Sequence, residues 1–288
     1  RGAWIRALTL TALQRRTNLI LNAGELTLKW GAIRDRLMLL PLIALLKARR
    51  GVFIHAGIGI RNPDSELRRA MRLITRSADI LTWRDSRSRH AVGLGIVEPD
   101  WSFGEGPPLT TLECRHILNR SASPRIALSL RGDREPPGPA WILRTRAWLR
   151  ATGAVAVAVC QVRKDADRTL WLAHQLGAEL VEYCDAHNHA EQERRLRSVY
   201  AACTWVSSDR LHVVAVASTE GAVPLNLVPD GEKKVARTLA TLNLSIVEAD
   251  TAATTVEEDQ AALLASLSMA RQRLCVLTTR IQERCRDR

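Results

Sequence analysis

The sharpest chemical signal is the run Ser207-Ser208-Asp209-Arg210-Leu211-His212, where an apolar strand gives way to a helix. Ser207, Ser208 or Asp209 can cap that helix, which leaves Arg210 and His212 in its first turn, against the positive end of the macrodipole. Basic side chains there are locally costly unless something anionic faces them. A ligand carrying a carboxylate and a phosphate would do so through bidentate guanidinium bonds. A neighbouring carboxylate of the protein would do the same for Arg210 and leave His212 an ordinary near-surface histidine, so both readings stand open here.

Three further segments put unusual residues beyond the ends of expected strands, where open parallel sheets bind ligands and the next helix presents free N–H groups. They are Gly57-Ile58-Gly59 with Arg61, Arg84-Asp85-Ser86, and Arg131-Gly132-Asp133-Arg134. The first is a tight turn needing positive φ, or part of a binding loop, since a lone GxG falls short of a dinucleotide fingerprint. In the second, Asp85 or Ser86 is a good helix cap and Arg84 can reach that carboxylate, so structure is favoured over function. Arg131 ends a buried strand and is expected to face a cleft. His187 and His189, in a polar loop with Asp185, read as solvated, and Trp83, Trp101 and Trp205 as core anchors.

The elements that must position these residues alternate. Arg1 to Arg16 has helical spacing and Leu19 to Ala23 reads as a strand. A helix is expected over Asp35 to Lys47, a strand from Gly51 to His55 running into the glycine turn, a capped helix from Asn62 to Ser77, and a strand from Asp79 to Trp83. Around Asn119 to Pro124 the composition turns polar, which places a domain boundary there. Strands then follow at Arg125 to Leu130, Ala154 to Cys160, Glu179 to Tyr183, Thr204 to Ser207 and Val223 to Val228, with helices between them. The pattern predicts doubly wound α/β architecture in both halves, over residues 1–120 and 121–250, with a helical extension over 251–288 that packs back across the first domain.

The chain of 288 residues has 42 basic and 30 acidic side chains, a net charge of +12. Only five of the basic residues are Lys and the Arg are scattered, so a phosphate-tracking stripe is missing and no nucleic-acid partner is expected. An anionic small substrate or a membrane surface fits the charge as well. Six cysteines without a CxxC pair suggest neither zinc nor a disulfide framework, which implies a reducing, cytoplasmic compartment, with the inner face of the membrane as an alternative placing. The longest apolar run, Leu37 to Leu46, is too short to span a bilayer.

Val206 to His212, followed by Ala217 and Gly221-Ala222-Val223-Pro224, resembles the "sDRLH…A…GvP" signature of polysaccharide pyruvyl transferases. Gly57-Ile58-Gly59 is similar to that family's "GxGIGP", Arg84-Asp85 with Ser88 to its "RDxxS", Leu94-Gly95-Ile96 through Pro99-Asp100 to its "LGv…PD", Ile126 to Arg131 to its "i.ls.R", and Lys233 or Lys234 to its downstream lysine. The family's opening strand and glycine turn have no match before Leu19, so the first domain is expected to lack them. The resemblance implies two Rossmann-like, GT-B-like domains with a cleft between them. It further implies transfer of a pyruvyl group from phosphoenolpyruvate to hydroxyls of a sugar, oligosaccharide or lipid-linked glycan, without a cofactor or metal and with peripheral membrane association open. The implied substrate contacts are Arg131, Arg210, Leu211, His212, Gly57, Gly59, Arg84 and Lys233, with Arg210 and His212 catalytic and Asp85, Asp209 and Glu220 as candidate bases. A GT-B glycosyltransferase using a nucleotide sugar is the rival enzyme, and a basic nucleic-acid-binding or scaffolding protein the rival of another class.

Overall fold

A computed structural model describes residues 2–119, 123–228, 234–250, 252 and 254–286. The chain forms two compact α/β units, Arg1–Trp101 with Gln272–Arg288 and Ser102–Arg271. In the first, α1 (Gly2–Gln14) leads to β1 (Leu19–Leu26), α2 (Trp30–Leu37), α3 (Leu40–Ala48), β2 (Phe53–Ile60), α4 (Arg68–Thr75), β3 (Ile80–Trp83), α5 (Ser86–Val92) and β4 (Ile96–Val97). The four strands are parallel and adjacent in chain order.

β2 is buried along its whole length, as a parallel strand covered on both faces must be. It contains the glycine segment, which sequence reasoning placed in a turn beyond the strand. Gly57 has φ of 68°, and the register with β3 shifts between His55 and Ile58. The extra residue reverses the facing of side chains. Ile54 and Ala56 pack with Ile80 and Leu277 on one face, whereas Ile58 and Ile60 pack with Trp83, Met71 and Ile74 on the other. The bulge thus lets one strand serve two apolar layers. His55 lies fully buried between Phe53 and Trp83, and burial, reinforced by Arg36, lowers its pKa to about 4.

Two helices differ from expectation for local reasons. The helix expected over Asp35 to Lys47 is broken into α2 and α3 at Met38 and Leu39, because Pro41 is tolerated only in the first turn of a new helix. Asn62 does not cap a helix. Its side-chain oxygen accepts the Leu28 N–H at 2.6 Å and its amide donates to the Leu28 carbonyl at 3.0 Å, and α4 starts later, at Arg68.

The second unit holds α6 (Leu109–Asn119), β5 (Arg125–Ser129), α7 (Pro139–Thr152), β6 (Val155–Val159), α8 (Ala166–Leu176), β7 (Glu179–Val181), α9 (His189–Ala201), β8 (Trp205–Ser208), α10 (Leu211–Thr219), β9 (Val223–Asn226), α11 (Lys234–Leu239) and β10 (Val247–Glu248). Its six parallel strands run β10-β9-β8-β5-β6-β7 across the sheet. The boundary falls at Trp101/Ser102, not near residue 120, because α6 belongs to this unit. Leu112 lies in its core, the His116 ring bonds the Gly221 carbonyl at 2.8 Å, and Arg115 pairs with Glu220 at 2.9 Å. The last helix, α12 (Val256–Arg286), is not a separate extension. Leu263, Leu267 and Ala270 enter the second core, and Leu277 the first, as the expected packing onto the first domain requires.

Candidate functional site

Along the chain, β5, β6 and β7 build the second sheet in one direction, and β8, β9 and β10 build it in the other. The reversal lies between β5 and β8, the position at which a doubly wound sheet opens a ligand crevice at its carboxyl end. The segments leaving those two strands carry Arg131 to Arg134 and Asp209-Arg210, and the turn after β6 adds Lys164, Asp165 and Arg168.

These side chains form one network. Asp209 accepts the backbone N–H of Arg131 at 3.0 Å with one oxygen and the Arg134 guanidinium at 3.2 Å with the other. Asp165, fully buried, accepts the Gly132 N–H at 2.8 Å and Nη2 of Arg210 at 2.6 Å, and its second oxygen takes Nε of Arg210. Arg131 forks onto Asp133 at 2.8 and 2.7 Å, with Lys164 3.5 Å from the same carboxylate. Arg168 donates to the Arg134 carbonyl at 2.8 Å. A Cβ on Gly132 would lie 2.4 Å from the Lys164 carbonyl oxygen, so only glycine lets these two turns approach.

These turns thus hold five cations (Arg131, Arg134, Lys164, Arg168 and Arg210) and four carboxylates (Asp133, Asp165, Asp167 and Asp209), with four of the cations paired to three of the carboxylates. The hydrogen bonds from Arg131 hold Asp133 well below the usual carboxylate range. Burial pushes Asp209 up, against the opposing pull of the Arg131 N–H and the nearby guanidinium groups. Two backbone N–H groups at the start of the crevice, those of Arg131 and Gly132, are held by the protein's own carboxylates, where an anionic ligand of such folds is received.

Arg210 thus pairs with a protein carboxylate while lying among surplus positive charge, and neither of the two readings of this residue excludes the other. It is the N-cap of α10, and its N–H is accepted by Ser208 Oγ at 3.0 Å. His212 is exposed in the first turn. Leu211 is buried at the helix start, so it anchors α10 instead of meeting a substrate. Glu220 is also buried and bridges Arg115 and Arg197 at 2.9 Å each, a structural role in place of that of a base. Lys233 lies outside the described residues, and Lys234 opens α11.

Gly57, Gly59 and Arg84 belong to the first unit and do a structural job there. Arg84 is only 3% exposed and is bracketed by Glu25 and Asp100, each at 3.5 Å, which leaves its guanidinium no open face for a substrate. A Cβ on Gly59 would meet Arg84 Nε at 2.6 Å, so this glycine makes room for the arginine. Asp85 caps α5, accepting the Ser88 N–H at 2.7 Å and its hydroxyl at 2.8 Å, as the structural reading of that segment expected. Arg84 reaches past it to more distant carboxylates.

Sequence reasoning missed Asp165, Lys164 and Arg168. The signal was present, since Lys164-Asp165-Ala166-Asp167-Arg168 follows the apolar strand β6 as the other candidate segments follow theirs. Among the described residues no three His, Cys, Asp or Glu side chains gather as a metal-ligand set.

No family model matches the chain, and no curated protein matches it. Among solved structures it is similar to Anabaena HepE. Against HepE in complex with UDP and glucose the identity is 14% and the TM-score 0.49, covering 97% of this chain and 80% of that one. Against HepE in complex with UDP-glucose the values are 15%, 0.49, 96% and 80%.

Proposed function

We propose that this chain is a sugar-modifying transferase whose phosphorylated donor docks in the crevice between β5 and β8. The observation that carries the reading is the coincidence of the sheet's reversal point with a cluster in which five cations outnumber four carboxylates. Phosphoenolpyruvate is the donor we favour, on the "SDRLH" run that forms the crevice's β8 side. It presents a carboxylate and a phosphate to Arg131 and Arg210, in place of the bonds those residues now make to Asp133 and Asp165. Two sugar hydroxyls then add to the enol carbon while its methylene takes a proton and phosphate departs, which gives a ketal. His212, solvent-facing and near the cations, is the group we place as proton donor or phosphate ligand.

A second reading, transfer from a nucleotide sugar, is favoured by the strand order, which is that of nucleotide-binding sheets. Calorimetric titration of the full chain with phosphoenolpyruvate and with a nucleoside diphosphate sugar separates the two. The expected result is phosphoenolpyruvate binding that Arg210→Lys weakens by about tenfold or more, because an ammonium cannot reproduce the planar fork. Phosphate release with a matching mass gain on the acceptor glycan then checks the chemistry. Binding of the nucleotide sugar alone replaces the first reading with the second, and binding of neither overturns both.

A further inference from the structure

The net charge of the protein is not shared between its two units. Arg1–Trp101 with Gln272–Arg288 holds 23 basic and 10 acidic residues, whereas Ser102–Arg271 holds 19 basic and 20 acidic. The imbalance is steepest over residues 2–50, with nine basic side chains and only Glu25 and Asp35 to oppose them. Glu25 is already committed to Arg61 and Arg84.

The same stretch exposes large apolar side chains of a particular kind. Trp4 is 49% exposed, Leu10 50%, Leu13 53%, Trp30 62% and Met38 61%. They are ordered on the helices. Trp30, Arg34 and Met38 recur four residues apart along the outer face of α2 and its C-cap, and Arg6, Leu10 and Leu13 recur four and three apart on the outer face of α1. The opposite face of α1 is buried through Ala12 against Leu42, Ile43 and Leu46 of α3. Trp4 and Met38 meet across a groove of about 490 Å³ floored by Leu21 and Leu39. The outer surface of α1 and α2 therefore mixes exposed apolar side chains with Arg6, Lys29 and Arg34, the last also paired with Asp35, and Arg15, Arg49 and Arg50 are exposed beyond its end.

We propose that this face of the first unit docks on an anionic lipid bilayer, with the two indole rings, Leu10, Leu13 and Met38 seated at the headgroup level and the arginines on lipid phosphates. Each half of the pattern calls for the other. Basic residues alone fit any polyanion, but a nucleic acid backbone would leave Leu10, Leu13 and Met38 uncovered. A protein groove would cover the apolar side chains without needing exposed cations such as Arg6, Lys29 and Arg34 among them. A bilayer interface receives amphipathic indoles, aliphatic chains and cations together. No helix among the described residues is long and apolar enough to cross a membrane, so the contact is with the surface. The inference is independent of which donor the second unit binds.

Flotation of the full chain with vesicles tests it. Vesicles of phosphatidylcholine with phosphatidylglycerol should carry the protein upward and phosphatidylcholine alone should not, with the bound fraction falling as salt rises. Neutralising Arg6→Gln, Lys29→Gln and Arg34→Gln together should lower partitioning on the order of a hundredfold. Trp30→Ser with Met38→Ser should abolish binding that survives high salt. Exchanging Arg194→Glu on the second unit should change nothing, and unchanged circular dichroism certifies each variant's fold. Failure to float on anionic vesicles at low salt overturns the proposal. So does a concentration-dependent dimer dispersed by the Trp30 and Met38 substitutions, which would make a second copy the occupant, or RNA binding that matches vesicle binding and is lost with the same three charges.

Discussion

Arg84 and Arg210 each follow a buried parallel strand and each fork into carboxylates, yet the two units treat them differently. In the first unit, Arg84 is 3% exposed between Glu25 and Asp100, and one guanidinium meets two acids. In the second, Arg210 is 15% exposed on Asp165, and the surrounding crevice holds more cations than acids. A closed, acid-rich setting uses arginine as a tie between elements of the first sheet. A less closed, cation-rich setting holds its arginine on one buried carboxylate, with further cations alongside. Burial and local charge balance, not the presence of an arginine after a strand, separate the two settings.

The comparison is broken most directly by removing each arginine. Arg84→Ala breaks two buried ion pairs at once, although Glu25 keeps Arg61, and the expected loss is about 3 to 5 kcal/mol, read from urea unfolding. Arg210→Ala strands one carboxylate, Asp165, which keeps the Gly132 N–H as a partner. Its loss should be smaller, and Asp165→Ala in the same chain should recover part of it. The sequence left open whether a carboxylate of the protein or of a ligand faces Arg210, and Asp165 supplies the former. An Arg210→Ala variant less stable than Arg84→Ala would mean that the second pair is the tighter brace and the crevice is closed.

Most of the second unit was legible because its strands are short apolar runs with clear stops. Val155–Val159, Trp205–Ser208 and Val223–Asn226 fall within a residue or two of their expected ends. Turns that bring distant residues together were not legible. Asp165 stands 45 positions before Arg210, and nothing in the spacing of either reports the other. The bulge at Gly57 was hidden for a different reason, since a glycine pair between apolar residues reads equally as the end of a strand or as a kink within it. The domain boundary was misplaced because α6, which precedes the polar stretch at Asn119, already belongs to the second unit, while the real division passes between Trp101 and Ser102.

A smaller effect distinguishes the two glycines that make room at these arginines. A Cβ on Gly59 would meet the Arg84 side chain, which yields only by loosening its pairs with Glu25 and Asp100, whereas one on Gly132 would meet the Lys164 backbone, which cannot yield. Gly59→Ala should therefore lower stability by about 1 kcal/mol and Gly132→Ala by about 3, both within the range for overpacking. Thermal unfolding of the pair checks the order. Gly132→Ala should in addition weaken phosphoenolpyruvate binding, because the turn that carries Arg131 is displaced, whereas Gly59→Ala should leave it unchanged. Equal effects of both on binding would remove the distinction between brace and site.

The smallest expected effect is a pH dependence carried by Asp209. Burial raises the pKa of Asp209, so the folded protein takes up its proton at a higher pH than the unfolded chain does. Its contribution to stability is then fully present below the ordinary carboxylate pKa and is lost as pH rises through the raised value. Asp133 runs the other way. Its lowered pKa favours the fold above the ordinary range, and that contribution is lost only on strong acidification. As pH falls through the raised value Asp209 takes up its proton, the crevice becomes more positive, and phosphoenolpyruvate affinity should rise. The ligand's own phosphate titrates near pH 6, at about the second phosphate pKa, and would mask this in the wild type alone. Asp209→Asn supplies the baseline, since it keeps an oxygen for the Arg131 N–H but has no proton to take up. The ratio of wild-type to Asp209→Asn affinity, measured by calorimetry across that raised value, should climb on acidification. A flat ratio would mean that the Asp209 carboxylate stays charged against Arg134 and that the crevice keeps one electrostatic state throughout.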